Sequence, residues 1–121
     1  MTGADWAFAY SDEVRFADLD VQRHLNNVTF LVFFESARVA YVRSLVPAYD
    51  PGLAGELGFM IVEVKITYRS PGRYGECIET LLRPSTLGRS SLRLECEMRV
   101  GERVLADGYA VMVAYDVAAG R

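Results

Sequence analysis

Asn27-Val28-Thr29-Phe30-Leu31-Val32-Phe33-Phe34-Glu35-Ser36-Ala37-Arg38-Val39-Ala40-Tyr41-Val42-Arg43-Ser44-Leu45-Val46 is the stretch on which the fold turns. Its apolar residues fall at helical spacing, so a helix is expected from about Asn27 to Val46. Asn26 or Asn27 can cap its start with an amide oxygen, and Pro47 ends it. Placed at 100° per residue, Phe30, Phe33, Phe34, Ala37, Ala40, Tyr41 and Leu45 form one broad face. Leu31 and Val42 flank it, and Val28, Val32 and Val39 cover much of the rest. Only Thr29, Ser36 and Arg43 make a continuous polar strip. A helix this apolar must be buried on most sides, so the rest of the chain has to wrap around it.

Working outward, the flanking sequence supplies the wrapping. A first strand is expected over about Phe8–Ala17, where Trp6, Phe8 and Tyr10 alternate and Val14 and Phe16 follow in step. A polar, turn-prone stretch, Asp18 to Asn27, leads into the helix. Beyond it, Val62, Val64, Ile66 and Tyr68 alternate with charged or hydroxylated residues. Ile78, Thr80 and Leu82 do the same, as do Leu92, Leu94, Cys96, Met98 and Val100. The last strand, about Arg103–Tyr115, is apolar on both faces. Short turns at Ser70–Gly75, Thr86–Arg89 and Gly101–Glu102 make antiparallel neighbours. The expected architecture is α+β: one domain, residues 1–121, with a curved antiparallel sheet around one long central helix. Such a sheet keeps a free edge, so pairing with a second copy is expected.

The composition narrows the function. The chain has 121 residues, 51% hydrophobic and 24% charged, with a net charge of −3, which supplies no positive field for nucleic acid. Cys77 and Cys96 are too few for a disulfide scaffold and too widely spaced for a zinc pair. A single histidine, His24, excludes a multi-histidine metal site. No run is long and apolar enough for a membrane span, and Met1 to Trp6 lack the basic cluster of a signal peptide, so the cytoplasm is expected. Every basic residue but Lys65 is arginine, a residue suited to phosphate.

Arg15-Phe16-Ala17-Asp18-Leu19-Asp20-Val21-Gln22-Arg23-His24-Leu25-Asn26-Asn27 resembles the R-F-x-D-x-D-x-x-x-H-x-N-N pattern of hotdog-fold thioesterases of the 4-hydroxybenzoyl-CoA thioesterase type. Phe33-Phe34-Glu35-Ser36-Ala37-Arg38 continues the resemblance. Tyr68-Arg69-Ser70-Pro71-Gly72-Arg73-Tyr74-Gly75-Glu76 is similar to that family's Y-x-x-P-x-x-x-G-[DE] hairpin, and Leu87–Ser91 to a turn of related chains. Arg23 departs from the pattern, standing where relatives often carry glycine.

The resemblance implies a thioesterase acting on acyl-CoA or acyl-carrier-protein thioesters, with no metal or redox cofactor and with Asp20 as the catalytic carboxylate. An aspartate in a turn ordinarily bonds neighbouring N–H groups, and the motif is what raises Asp20 above that reading. Backbone donors near Asn26, Asn27 and Val28 at the helix start could polarise a thioester carbonyl. Asp20 could then activate water or attack directly. Asp18 is read as structural. His24 supports the loop first and is a base second. Glu35 and Arg38 could pair at a subunit boundary or simply form a solvent-facing rim. Arg69, Arg73 and Arg89, with Ser90 and Ser91, are the candidates to hold the phosphates of coenzyme A at a mouth between subunits. Phe30, Phe59 and Met60 are candidates to line an acyl tunnel. A homodimer is expected, with a tetramer left open. Two other readings compete: a hotdog hydratase or dehydratase with His24 as base, and a non-catalytic acyl-binding protein.

Overall fold

A computed structural model describes residues 5–46 and 57–116. The expected helix stop at Pro47 and the N-terminal residues Met1 to Ala4 lie outside them. The elements run β1 (Phe8–Glu13), a 3-10 turn (Phe16–Asp18), α1 (Asn27–Leu45), β2 (Leu57–Tyr68), β3 (Cys77–Leu87), β4 (Ser91–Val100) and β5 (Arg103–Asp116). The strands form one antiparallel sheet in the order β1-β3-β4-β5-β2, curved around α1 as the sequence leads one to expect. β1 and β2 are therefore its two edges.

The broad apolar face of α1 is what the sheet grips. Phe34, Ala37, Tyr41 and Val42 pack with Leu82, Leu94, Cys96, Ala110 and Met112. Towards the helix start, Phe30 and Phe33 join Val14, Leu25, Ile78, Met98 and Leu105. A fully buried aromatic or Leu side chain of this kind contributes about 1.5–3 kcal/mol. Phe8 of β1 lies against Tyr41, ring centroids 5.3 Å apart. β5 packs so closely on β2 that a Cβ at Gly108 would collide with the Lys65 carbonyl.

Three expectations need correction. The first strand ends at Glu13 rather than Ala17, because the chain folds back where Asp18 captures the Arg15 backbone N–H at 2.8 Å. The alternation through Val62 is interrupted by a bulge between Ile61 and Glu63, so Ile61, not Val62, shares a face with Val64 towards the helix. The helix is not covered on most sides within one chain. Val28, Leu31, Val32 and Leu45 are exposed, and so are Met60, Ile61, Val62 and Val64 on the neighbouring edge strand.

Candidate active site at the start of the helix

The loop between the 3-10 turn and α1 is held by its own backbone. Asp20 N–H donates to the His24 carbonyl and Arg23 N–H to the Asp20 carbonyl, each at 2.9 Å. Asn26 N–H donates to the Asp18 carbonyl at 2.9 Å, and Leu25 N–H to the Gly72 carbonyl at 2.7 Å. The β2–β3 turn thus backs the loop, and a Cβ at Gly72 would stand 3.0 Å from that of Leu25. Arg23 takes a positive φ of 64°, which explains the glycine of the resembling pattern: a side chain there works against the backbone it must adopt.

Asp18 is structural, as expected. Its carboxylate accepts the Arg15 backbone N–H, Nε at 3.2 Å and Nη2 at 2.9 Å, while the side chain is 4% exposed. The Arg15 guanidinium holds the Asp18 carboxyl below the usual carboxylate range, against the opposing effect of burial. A depressed carboxyl stabilises the fold above its unfolded pKa, and that contribution is lost as pH falls through the folded value. Asp12 works in the opposite sense: burial first, then Asp18, raises its carboxyl. Asp18→Asn is therefore expected to lower the melting temperature at neutral pH, by about 1–3 kcal/mol of stability. The gap to wild type should shrink below about pH 4. Thermal unfolding followed across that range checks both.

Asp20 is bound to the same loop but at one oxygen only. Oδ1 accepts Gln22 N–H at 2.9 Å and His24 N–H at 3.2 Å, while Oδ2 has no partner among the described residues. The residue lines a cleft of ≈ 350 Å³ with His24, Asn27, Phe30, Tyr68 and Arg69. On the other side of the loop it borders a second hollow, edged by the exposed Phe16, Val21 and Tyr74. His24 also lines the first cleft, and its side chain makes no hydrogen bond to a described residue.

At the helix start, Asn26 is the cap: its Oδ1 accepts Val28 N–H at 2.9 Å. Its carbonyl takes Thr29 N–H at 2.9 Å and Phe30 N–H at 3.3 Å. Of the donors expected near Asn26, Asn27 and Val28, this arrangement occupies two. The Asn26 and Val28 N–H groups are spent on the cap and the loop, which leaves the N–H of Asn27 unbonded among the described residues. The residue that carries this free N–H, at the positive end of a helix of 19 residues, lines the same cleft as Asp20. Tyr68, which sequence reasoning placed only as a strand residue, fixes this end. Its hydroxyl donates to the Asn27 carbonyl at 3.1 Å and its ring meets Phe30 edge-on at 5.3 Å. The Tyr at the head of the Y-x-x-P hairpin was the available signal.

The phosphate candidates are not gathered within one chain. Arg69 grips Asp107 with two donors, at 3.0 and 3.1 Å, on the outer side of the sheet. Arg73 is exposed, and its backbone N–H donates to Glu76. Arg89, Ser90 and Ser91 form the β3–β4 turn at the opposite end of the sheet, the end where β2 begins. Ser90 and Ser91 serve the turn through their carbonyls, which accept Ala114 and Gly88 N–H at 2.8 Å. Phe59 is half-buried against the core and Met60 is exposed. Both cysteines are free thiols; burial pushes that of Cys96 up to about 12. Among the described residues no His, Cys, Asp or Glu side chains cluster to hold a metal, and no helix is long and apolar enough to cross a membrane.

A long helix wrapped by an antiparallel sheet is the hotdog fold of thioester hydrolases. The chain matches the thioesterase-like superfamily over residues 14–121 and belongs to it. A Thermus thermophilus thioesterase solved with coenzyme A and zinc is 31% identical, with 90% of this chain and 79% of that one covered at a TM-score of 0.80. A Pseudomonas aeruginosa protein is 28% identical over 98% and 82% of the two chains, TM-score 0.87. A second protein of that organism is 27% identical over 93% and 87%, TM-score 0.85. No curated protein matches the sequence.

Proposed function

We propose that this thioesterase hydrolyses acyl-CoA thioesters with Asp20 as its catalytic carboxylate and Asn27 N–H as the donor to the developing oxyanion. The observation that carries the reading is that the unpaired Asp20 Oδ2 and the unbonded Asn27 N–H belong to residues lining one cleft. The thioester carbonyl accepts from Asn27 N–H, whose pull strengthens as charge builds on the oxygen. Oδ2 either takes a proton from the attacking water or attacks the carbonyl carbon to give an anhydride that water opens. Both routes expel coenzyme A as the free thiol and leave a carboxylic acid. His24 holds the loop through its backbone bonds to Asp20. The resemblance to the 4-hydroxybenzoyl-CoA type guides these assignments, and the coenzyme A of the Thermus relative favours CoA over a carrier protein.

The working form is a homodimer, in which two β2 edges pair antiparallel across a two-fold axis. Such pairing sets the end of β2 bearing Tyr68 beside the partner's beginning of β2. The partner subunit's Arg89, Ser90 and Ser91 then lie at the same end as this protomer's Asp20, and Arg73 faces them from its own chain. Free thiols and the substrate class fit a cytoplasmic enzyme.

One observation favours a competing reading. Asp20 Oδ1 bonds two loop N–H groups, as it would in an acyl-binding protein that merely needs the loop closed. Free-thiol release across a panel of acyl-CoAs varying in length and aromaticity separates the cases. Saturable release is expected. Hydration of an enoyl-CoA without thiol release would instead mark a hydratase, and binding without reaction an acyl-binding protein.

A further inference from the structure

The uncovered flank of α1 holds a guanidinium with an unmet need. Arg38 is 6% exposed, lies with its guanidinium carbon 4.4 Å from the centre of the Phe34 ring, and keeps Nη1 buried without a hydrogen-bond partner. Glu35, one helical turn earlier, is exposed, and no ion pair joins the two within the chain. A buried charge left unpaired costs several kcal/mol, so a partner from outside the chain is called for.

The position of the pair says which partner. Glu35, Arg38 and Ile61 are shared by two adjoining hollows between α1 and β2, of ≈ 310 and ≈ 330 Å³. Glu35 and Arg38 bracket the middle of the helix, and Ile61 stands beside the bulge at the middle of the edge strand. In a two-fold pairing of antiparallel edges, middles lie at the axis and meet their own copies. Opposite charges three residues apart on one helix are then self-complementary, each finding its opposite on the helix coming the other way. The surrounding surface is apolar, with Val28, Leu31, Val32 and Val64 exposed, as a self-pairing face requires.

We propose that Arg38 is the buried half of a reciprocal ion pair, donating Nη1 to the carboxylate of the partner subunit's Glu35 while the partner subunit's Arg38 does the same to Glu35 here. The two pairs fix the register in which the β2 edges meet, and with it the placing of the partner's β3–β4 turn at the site. The inference rests on the proposed homodimer and adds the contact that sets it.

Mixing variants tests it. Sedimentation velocity at micromolar concentration should show wild type as a dimer. Glu35→Arg and Arg38→Glu should each weaken self-association by about 100-fold or more, since each sets like charges face to face. An equimolar mixture of the two should restore a dimer, and native mass spectrometry should show it to be the heterodimer, in which both pairs are again opposite in sign. A pair formed within one chain would not be rescued by mixing. Should Arg38→Glu fail to fold by circular dichroism, Arg38→Met takes its place, and the mixture with Glu35→Arg should still dimerise more tightly than Glu35→Arg alone. Single variants that dimerise as wild type does would overturn the ion pair and leave the dimer standing. Weakening without rescue on mixing would overturn its reciprocal form. A monomeric wild type would overturn the dimer and the pair together.

Discussion

Asn27→Pro is expected to lower the kcat of thioester hydrolysis by about 100- to 1000-fold, the loss typical of a deleted oxyanion donor. Asn27 is the first residue of α1, the one helical position where proline is at home. Its N–H bonds nothing among the described residues, so the fold loses no hydrogen bond with it. Asn26 before it has φ −61° and ψ 137°, an extended conformation that a following proline accepts. The Asn27 carbonyl stays in place for the Tyr68 hydroxyl. The substitution thus deletes one proton from the site and little else, and the melting temperature should move by no more than a few degrees. Asn27→Ala keeps the N–H and should retain most of the wild-type kcat. Equal losses in both variants would mean that the amide side chain, not the backbone donor, serves the reaction.

The helix and its buried aromatic face were legible from composition, although its valine flank is left uncovered within one chain. Phe30, Phe33, Phe34 and Tyr41 share one face, and Asn26 or Asn27 offers a cap, which the structure assigns to Asn26. Local chemistry was harder to read. The alternation of Val14 and Phe16 continues past Glu13, but Asp18 turns back on Arg15 and ends the strand, a contact that periodicity does not carry. Val62 looks like its neighbours, and the bulge that displaces it is set by how β2 pairs with β5. Which N–H at the helix start stays free depends on where one side chain points: Asn26 spends its oxygen on Val28 and so leaves Asn27. That Arg69 pairs with Asp107 was equally out of reach, because Asp107 lies far along the chain on another strand. Glu35 and Arg38 could be read as a pair at a subunit boundary or as a solvent-facing rim, and only the structure shows that Arg38 is buried while Glu35 is exposed. Long-range pairing of polar groups is what sequence patterning leaves unspecified, and the site is made of such pairings.

Asp20→Asn parts the two duties of this residue, holding the loop and serving the reaction. The amide oxygen can take the place of Oδ1 and keep the bonds from Gln22 and His24 N–H, so the loop and the cleft persist. The other oxygen, unpaired in the folded chain, is replaced by an NH2 that can neither accept a proton nor attack carbon. The measurement is kcat for thiol release from the best acyl-CoA, taken beside the melting temperature. A fall of about 10²–10⁴ in kcat is expected, with the melting temperature held near wild type. Wild-type kcat in Asp20→Asn, with activity lost only in Asp20→Ala, would reduce Asp20 to a loop cap and contradict its catalytic role.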